Sequence, residues 1–136
     1  MHAPIRFLSH SLAVAALTGL LTQPAQAVEE ADFKFERTED LVHICSVSAN
    51  EAEYVAASLA CTAFVEATVQ YHDVSTARKK SKALVCVPSN VTVADVRQLF
   101  LDWADKNKTN QKFMAELPVN GVMRSLAAKY PCKKDQ

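Results

Sequence analysis

The chain has 136 residues, with 15 basic and 15 acidic side chains, a formal net charge of zero and two glycines. That balance gives no electrostatic case for nucleic acid or for an anionic membrane surface. Gly19 and Gly121 cannot build a phosphate-cradling loop, and the one Asn-Gly pair lies inside helical periodicity, so an all-α domain is expected.

Residues 1–27 read as a cleaved export signal. Arg6 lies near the start, an apolar run extends from Ser11 to Leu21, and Ala25 and Ala27 occupy the small positions that a signal peptidase needs. The run falls short of the roughly 20 residues that span a hydrocarbon core, so no membrane attachment is expected after cleavage behind Ala27. Residues 28–37, VEEADFKFER, read as a mobile N-terminal arm, with Phe33 and Phe35 as the points where it could dock. Residues 38–136 then form one small domain, a disulfide-stapled bundle of about four helices.

Thr38 reads as the N-cap of a short first helix with Leu41, Val42, Ile44 and Cys45 on its apolar side. Ser48 and Glu51 form a capping box ahead of a second helix that should end near Tyr71. This helix carries two apolar stripes. The wide one holds Ala52, Val55, Ala56, Leu59, Ala60, Ala63, Ala67 and Tyr71; the one nearly opposite holds Tyr54, Ala57, Cys61, Val65 and Thr68. Such a helix is expected to sit centrally, packed on both sides. The polar segment from His72 to Ala83 reads as an exposed connection.

Thr92 and Asp95 cap a third helix that runs to about Lys106, with Val93, Val96, Phe100, Trp103 and Ala104 inward. After a polar break from Lys106 to Gln111, Pro118 suits the first position of a fourth helix, which Pro131 ends.

The four cysteines Cys45, Cys61, Cys86 and Cys132 read as two disulfides in a small exported chain. No C-x-x-C occurs, and His43 and His72 are poorly spaced for zinc, so neither metal nor cofactor is expected. If the third and fourth helices are antiparallel, Cys86 lies beside Cys132, and Cys45 is left for Cys61. The other two pairings stay open. Catalysis is not expected. The serines lack a G-x-S-x-G setting, the carboxylates are scattered, and His72-Asp73 reads as the solvated end of a helix.

Several elements together carry a resemblance. These are Leu41-x-x-x-Cys45, Cys61 on an apolar helix, Cys86-Val87-Pro88 with Val91-Thr92 and Asp95-Val96-Arg97, and Leu126 with Lys129-Tyr130-Pro131-Cys132. Over roughly residues 40 to 132 the chain resembles the Rap/Tai family of immunity proteins, which guard bacteria against type VI secretion amidase toxins. It departs from the family on the second helix. Ala63 and Ala67 stand where members often have glycine, and Phe64 where they have tyrosine. The resemblance implies a periplasmic inhibitor without catalytic activity. Its implied partners are a cognate peptidoglycan amidase effector, whose groove it occludes, and a second copy of itself. Two segments are expected to project into the partner. One is Asp73 to Lys82, with Asp73, Ser75, Thr76, Arg78, Lys79, Lys80 and Lys82; the other is Asn107 to Gln111, with Asn107, Thr109 and Asn110. The alternative is a periplasmic stress or acid chaperone of similar build.

Overall fold

The computed structural model describes residues 28–79 and 82–132. The expected export signal at 1–27 lies outside the described residues. Within them the chain is helical, in the order of a 3-10 turn (Glu30–Lys34), α1 (Thr38–Ser46), α2 (Tyr54–Lys79), α3 (Val93–Asn107), α4 (Gln111–Met114) and α5 (Pro118–Lys129).

The core lies where α1, α2, α3 and α5 meet. Leu41, Ile44, Val65, Phe100, Val122 and Leu126 are fully enclosed there. Those on α1, α3 and α5 project from the inward sides of amphipathic helices, and Val65 comes from the enclosed row of α2. Ahead of α1, the residues read as an arm fold back over it. Phe33 and Phe35 pack on the core, and Phe35 turns through a left-handed conformation (φ 52°) that sets its ring 5.0 Å from that of Phe64.

Thr38 stands one residue inside α1 rather than capping it. Its N–H and its hydroxyl both donate to the carbonyl of Glu116, at 2.7 and 3.0 Å. Asp40 takes the terminal work, accepting from the Arg37 N–H at 2.8 Å. Glu51 does reach back to the Ser48 N–H, at 2.7 Å, but this box closes a turn and α2 begins only at Tyr54.

Two features of α2 depart from the sequence reading. The helix runs on to Lys79, so the segment from His72 is helical and not a loop. The reason is that His72 extends the inward row of Val65 and Thr68 by one more turn, and the Thr76 hydroxyl donates to the His72 carbonyl at 2.9 Å. Nor is His72 solvated. It is buried, and its Nε2 accepts the Leu84 N–H at 3.1 Å while Nδ1 lies 3.0 Å from an Asp73 carboxylate oxygen. The imidazole therefore pins the returning chain to α2. The second departure is orientation. The row of Ala57, Cys61 and Val65 is enclosed, whereas the wide stripe faces outward, with Val55, Leu59 and Tyr71 well exposed.

The helices are tied at their ends. Cys45 is bonded to Cys61 and Cys86 to Cys132. The Arg97 guanidinium donates from Nε, at 2.9 Å, and from Nη2 to the carbonyl of Cys45, and so caps the end of α1 from α3. Near the second disulfide, Val85 bridges Pro131 and the Cys86 N–H donates to the Tyr130 carbonyl at 2.9 Å. Pro118 occupies the first turn of α5, and Thr92 and Asp95 cap α3 reciprocally.

Candidate partner-binding surfaces

The polar break after α3 is a tight corner leading into the short α4. Asn107 donates its amide to the Trp103 carbonyl at 2.8 Å, and the Asn110 N–H returns to the Asn107 carbonyl at 2.8 Å. The Asn110 side chain then accepts the Phe113 N–H at 3.3 Å, which starts α4. Behind the corner, Trp103 lies between Phe100, at 6.4 Å, and Phe113, at 5.9 Å. The Arg124 guanidinium covers the Phe113 ring at 4.5 Å while holding the Glu116 carboxylate at 2.9 Å. This support leaves Lys108, Thr109, Asn110 and Gln111 exposed on a fixed backbone, with Lys106 and Lys112 beside them.

The second expected segment is divided. Asp73, Ser75, Thr76, Arg78 and Lys79 lie on the last turns of α2, Lys80 falls outside the described residues, and Lys82 is exposed on the return. Among the described residues no hydrogen bond or ion pair joins this segment to the α3–α4 corner.

Charge gathers at one further place. Glu29, Asp32, Arg37, Glu39, Asp40 and His43 line an open hollow of about 370 Å³ over the start of α1. His43 pairs with Asp32 at 3.2 Å, and Arg37 reaches Glu39 and Asp40 at 3.3 and 3.5 Å. A histidine beside a carboxylate is half of a nucleophilic apparatus, but no serine or cysteine lines this hollow. Its charges are spent on one another and on tying the 3-10 turn to α1. The Asp95 carboxyl is held below its ordinary value by the Thr92 hydroxyl and then by the Thr92 backbone N–H, which is the signature of a cap and not of an acid-base site. No group of metal-ligating side chains occurs among the described residues.

Sequence reasoning found the corner because KNKTNQ breaks the apolar period. It missed the aromatic stack beneath, because Phe100 and Trp103 share a helix face but Phe113 joins them only through the turn.

Among the described residues the arrangement offers projecting surface and brings together no catalytic constellation. No curated protein and no solved structure matches the chain. A family model does, over residues 37–132, from the turn before α1 to the last cysteine, and its description is Rap1a immunity proteins. That span holds the whole bundle and both disulfides, and the chain belongs to the Rap1a family of immunity proteins.

Proposed function

We propose that this chain is a periplasmic immunity protein which neutralises a peptidoglycan amidase effector of type VI secretion by lodging the α3–α4 corner in the enzyme's groove. The observation that carries the reading is the family match across the entire bundle. An immunity protein acts by occupying a site, so its requirement is a surface already fixed in the bound shape. Each side chain or loop ordered on association subtracts from affinity. The corner meets that requirement because both asparagines and three aromatic rings hold it before any partner arrives. Two disulfides resist unfolding in an oxidising compartment where no ATP-driven repair operates.

The test is coexpression of the chain with an amidase effector encoded beside it, the amidase directed to the periplasm. The expected result is protection from lysis and copurification of the pair. Thr109→Trp should weaken the complex at least tenfold without loss of helix content. Absence of both binding and protection would overturn the reading. Suppressed aggregation of unrelated proteins at acid pH, in its place, would favour the chaperone alternative.

A further inference from the structure

Helices α3 and α5 pack against each other, and the Cys86–Cys132 bond sets the lead-in to α3 beside the end of α5, so the two run antiparallel. An open groove of about 340 Å³ lies between them, large enough for a side chain and the backbone that carries it. Its apolar lining is the half-buried Leu99 and Trp103 of α3 and Ala128 of α5. The buried Ser125 hydroxyl, which also borders it, donates to the Val122 carbonyl at 2.7 Å.

Lys106 and Lys129 complete the wall, each in the last turn of its helix. The helix dipole favours a lysine there, which explains either residue alone. It does not explain two that share one groove. Side chains on a helix lean towards its N-terminus, so in this antiparallel pair the two ammonium groups lean inward from opposite ends. Among the described residues neither forms an ion pair. The acid on the wall, Asp102, is exposed and accepts the Gln98 amide at 2.8 Å, so the cations outnumber it.

We infer that this groove takes a short acid–apolar–acid segment of the protein partner, the apolar side chain lying on Leu99 and Trp103 and one carboxylate meeting each lysine. Charge complementarity selects the sign of the segment, and the apolar floor between the two cations selects its middle residue. Length limits it further. Leu99 to Lys106 covers about 10 Å of helix, the reach of roughly three extended residues. The inference rests on the immunity reading for the identity of the partner, which is the effector. It adds a second contact to that reading, because Lys106 stands one residue before Asn107 and the groove opens beside the α3–α4 corner.

Trp103 is the single tryptophan of the chain, so its emission reports on the groove. The chain purified from the periplasm is titrated with the tripeptide acetyl-Glu-Phe-Glu-amide up to millimolar concentration. A saturable change in Trp103 emission is expected. It should be lost in the Lys106→Glu, Lys129→Glu double variant and absent with acetyl-Lys-Phe-Lys-amide. No response to the acidic peptide, or an equal response to the basic one, would overturn the site. With the amidase effector encoded beside the chain, each lysine reversal should weaken the complex at least tenfold and flatten its dependence on sodium chloride. Reversal of the exposed Lys34, on the 3-10 turn, should do neither. An effector complex indifferent to both reversals would overturn the effector as occupant. The peptide separates the two readings: a chain that takes it but binds no amidase keeps the groove and loses the immunity reading, whereas an amidase bound through Thr109 by a chain that ignores the peptide does the reverse.

Discussion

A β-carbon placed on Gly121 would stand 2.6 Å from Cγ2 of Thr38 and 3.1 Å from the Phe100 ring, so α1 and α5 cross where α5 has no side chain. Thr38 cannot swing away, because its N–H and hydroxyl both hold the Glu116 carbonyl and a β-branched side chain is stiff at χ1. Gly121→Ala gains about 1 kcal/mol of helix propensity and meets an overpacking cost of roughly 1–3 kcal/mol. The expected outcome is a net loss of up to about 2 kcal/mol, read from denaturant unfolding. Thr38→Ser removes the clashing methyl while keeping the hydroxyl, so the double variant should recover part of the loss. A Gly121→Ala protein at least as stable as the parent would contradict the close crossing.

The two disulfides should not open together. Cys45 and Cys61 are wholly enclosed, whereas Cys86 is exposed and Cys132 half-buried. A thiolate must reach a sulfur to exchange with it, so mild reductant is expected to open Cys86–Cys132 first. Loop-closure entropy for separations of 46 and 16 residues gives contributions of about 4 and about 3 kcal/mol. Full reduction therefore removes a large share of the roughly 5–15 kcal/mol that holds a small domain together. Mass mapping of alkylated thiols against time should show the order, and the thermal midpoint should fall in two steps. Simultaneous opening would show that access does not govern the reaction.

Much of this fold is readable from residue spacing, and the failures share a cause. The capping of α3 by Thr92 and Asp95, and the start of α5 at Pro118, follow from local backbone chemistry, which a sequence displays directly. Both stripes of α2 are apolar, so periodicity leads to the expectation that both are covered; only the row of Ala57, Cys61 and Val65 is, because α1 and α3 pack there. The last turns of α2 look like a loop by composition because their stabilising group is one histidine whose acceptor role depends on Leu84, twelve residues away. Thr38 presents the pattern of a cap but serves a contact 78 residues distant. At the candidate site, the polar break was visible as KNKTNQ. The rings of Trp103 and Phe113 that fix it come together only through the turn itself.

His72 offers a direct test of that long-range link. Its Nε2 accepts the Leu84 N–H, and its ring is enclosed against α2. His72→Phe keeps a planar ring, at larger volume, and loses the acceptor, which leaves the Leu84 N–H without its partner. The expected loss is about 1 kcal/mol. Amide exchange at Leu84 should accelerate more than exchange in α5, because the damage begins at the α2 return. Unchanged protection at Leu84 would mean that the imidazole does not hold this segment.

The capping box on α3 gives a pH prediction with a definite sign. Asp95 has a folded-state pKa below its ordinary carboxylate value, chiefly through the Thr92 hydroxyl and then the Thr92 N–H. A depressed acid binds its proton more weakly in the folded state, so its contribution is fully present above the unfolded value and disappears as pH falls through the folded one. Asp95→Asn should therefore reduce stability at neutral pH, and the difference from the parent should shrink below about pH 4. Thr92→Ala removes the hydroxyl that caps the helix and should cost about 1 kcal/mol at neutral pH. In combination the two losses should be less than additive, since both side chains belong to one reciprocal pair with Oγ1 and Oδ2 at 2.7 Å. Unfolding curves at pH 7 and pH 3 for the parent, both single variants and the double variant close this cycle. A pH-independent difference for Asp95→Asn would show that the carboxylate charge plays no part in starting α3.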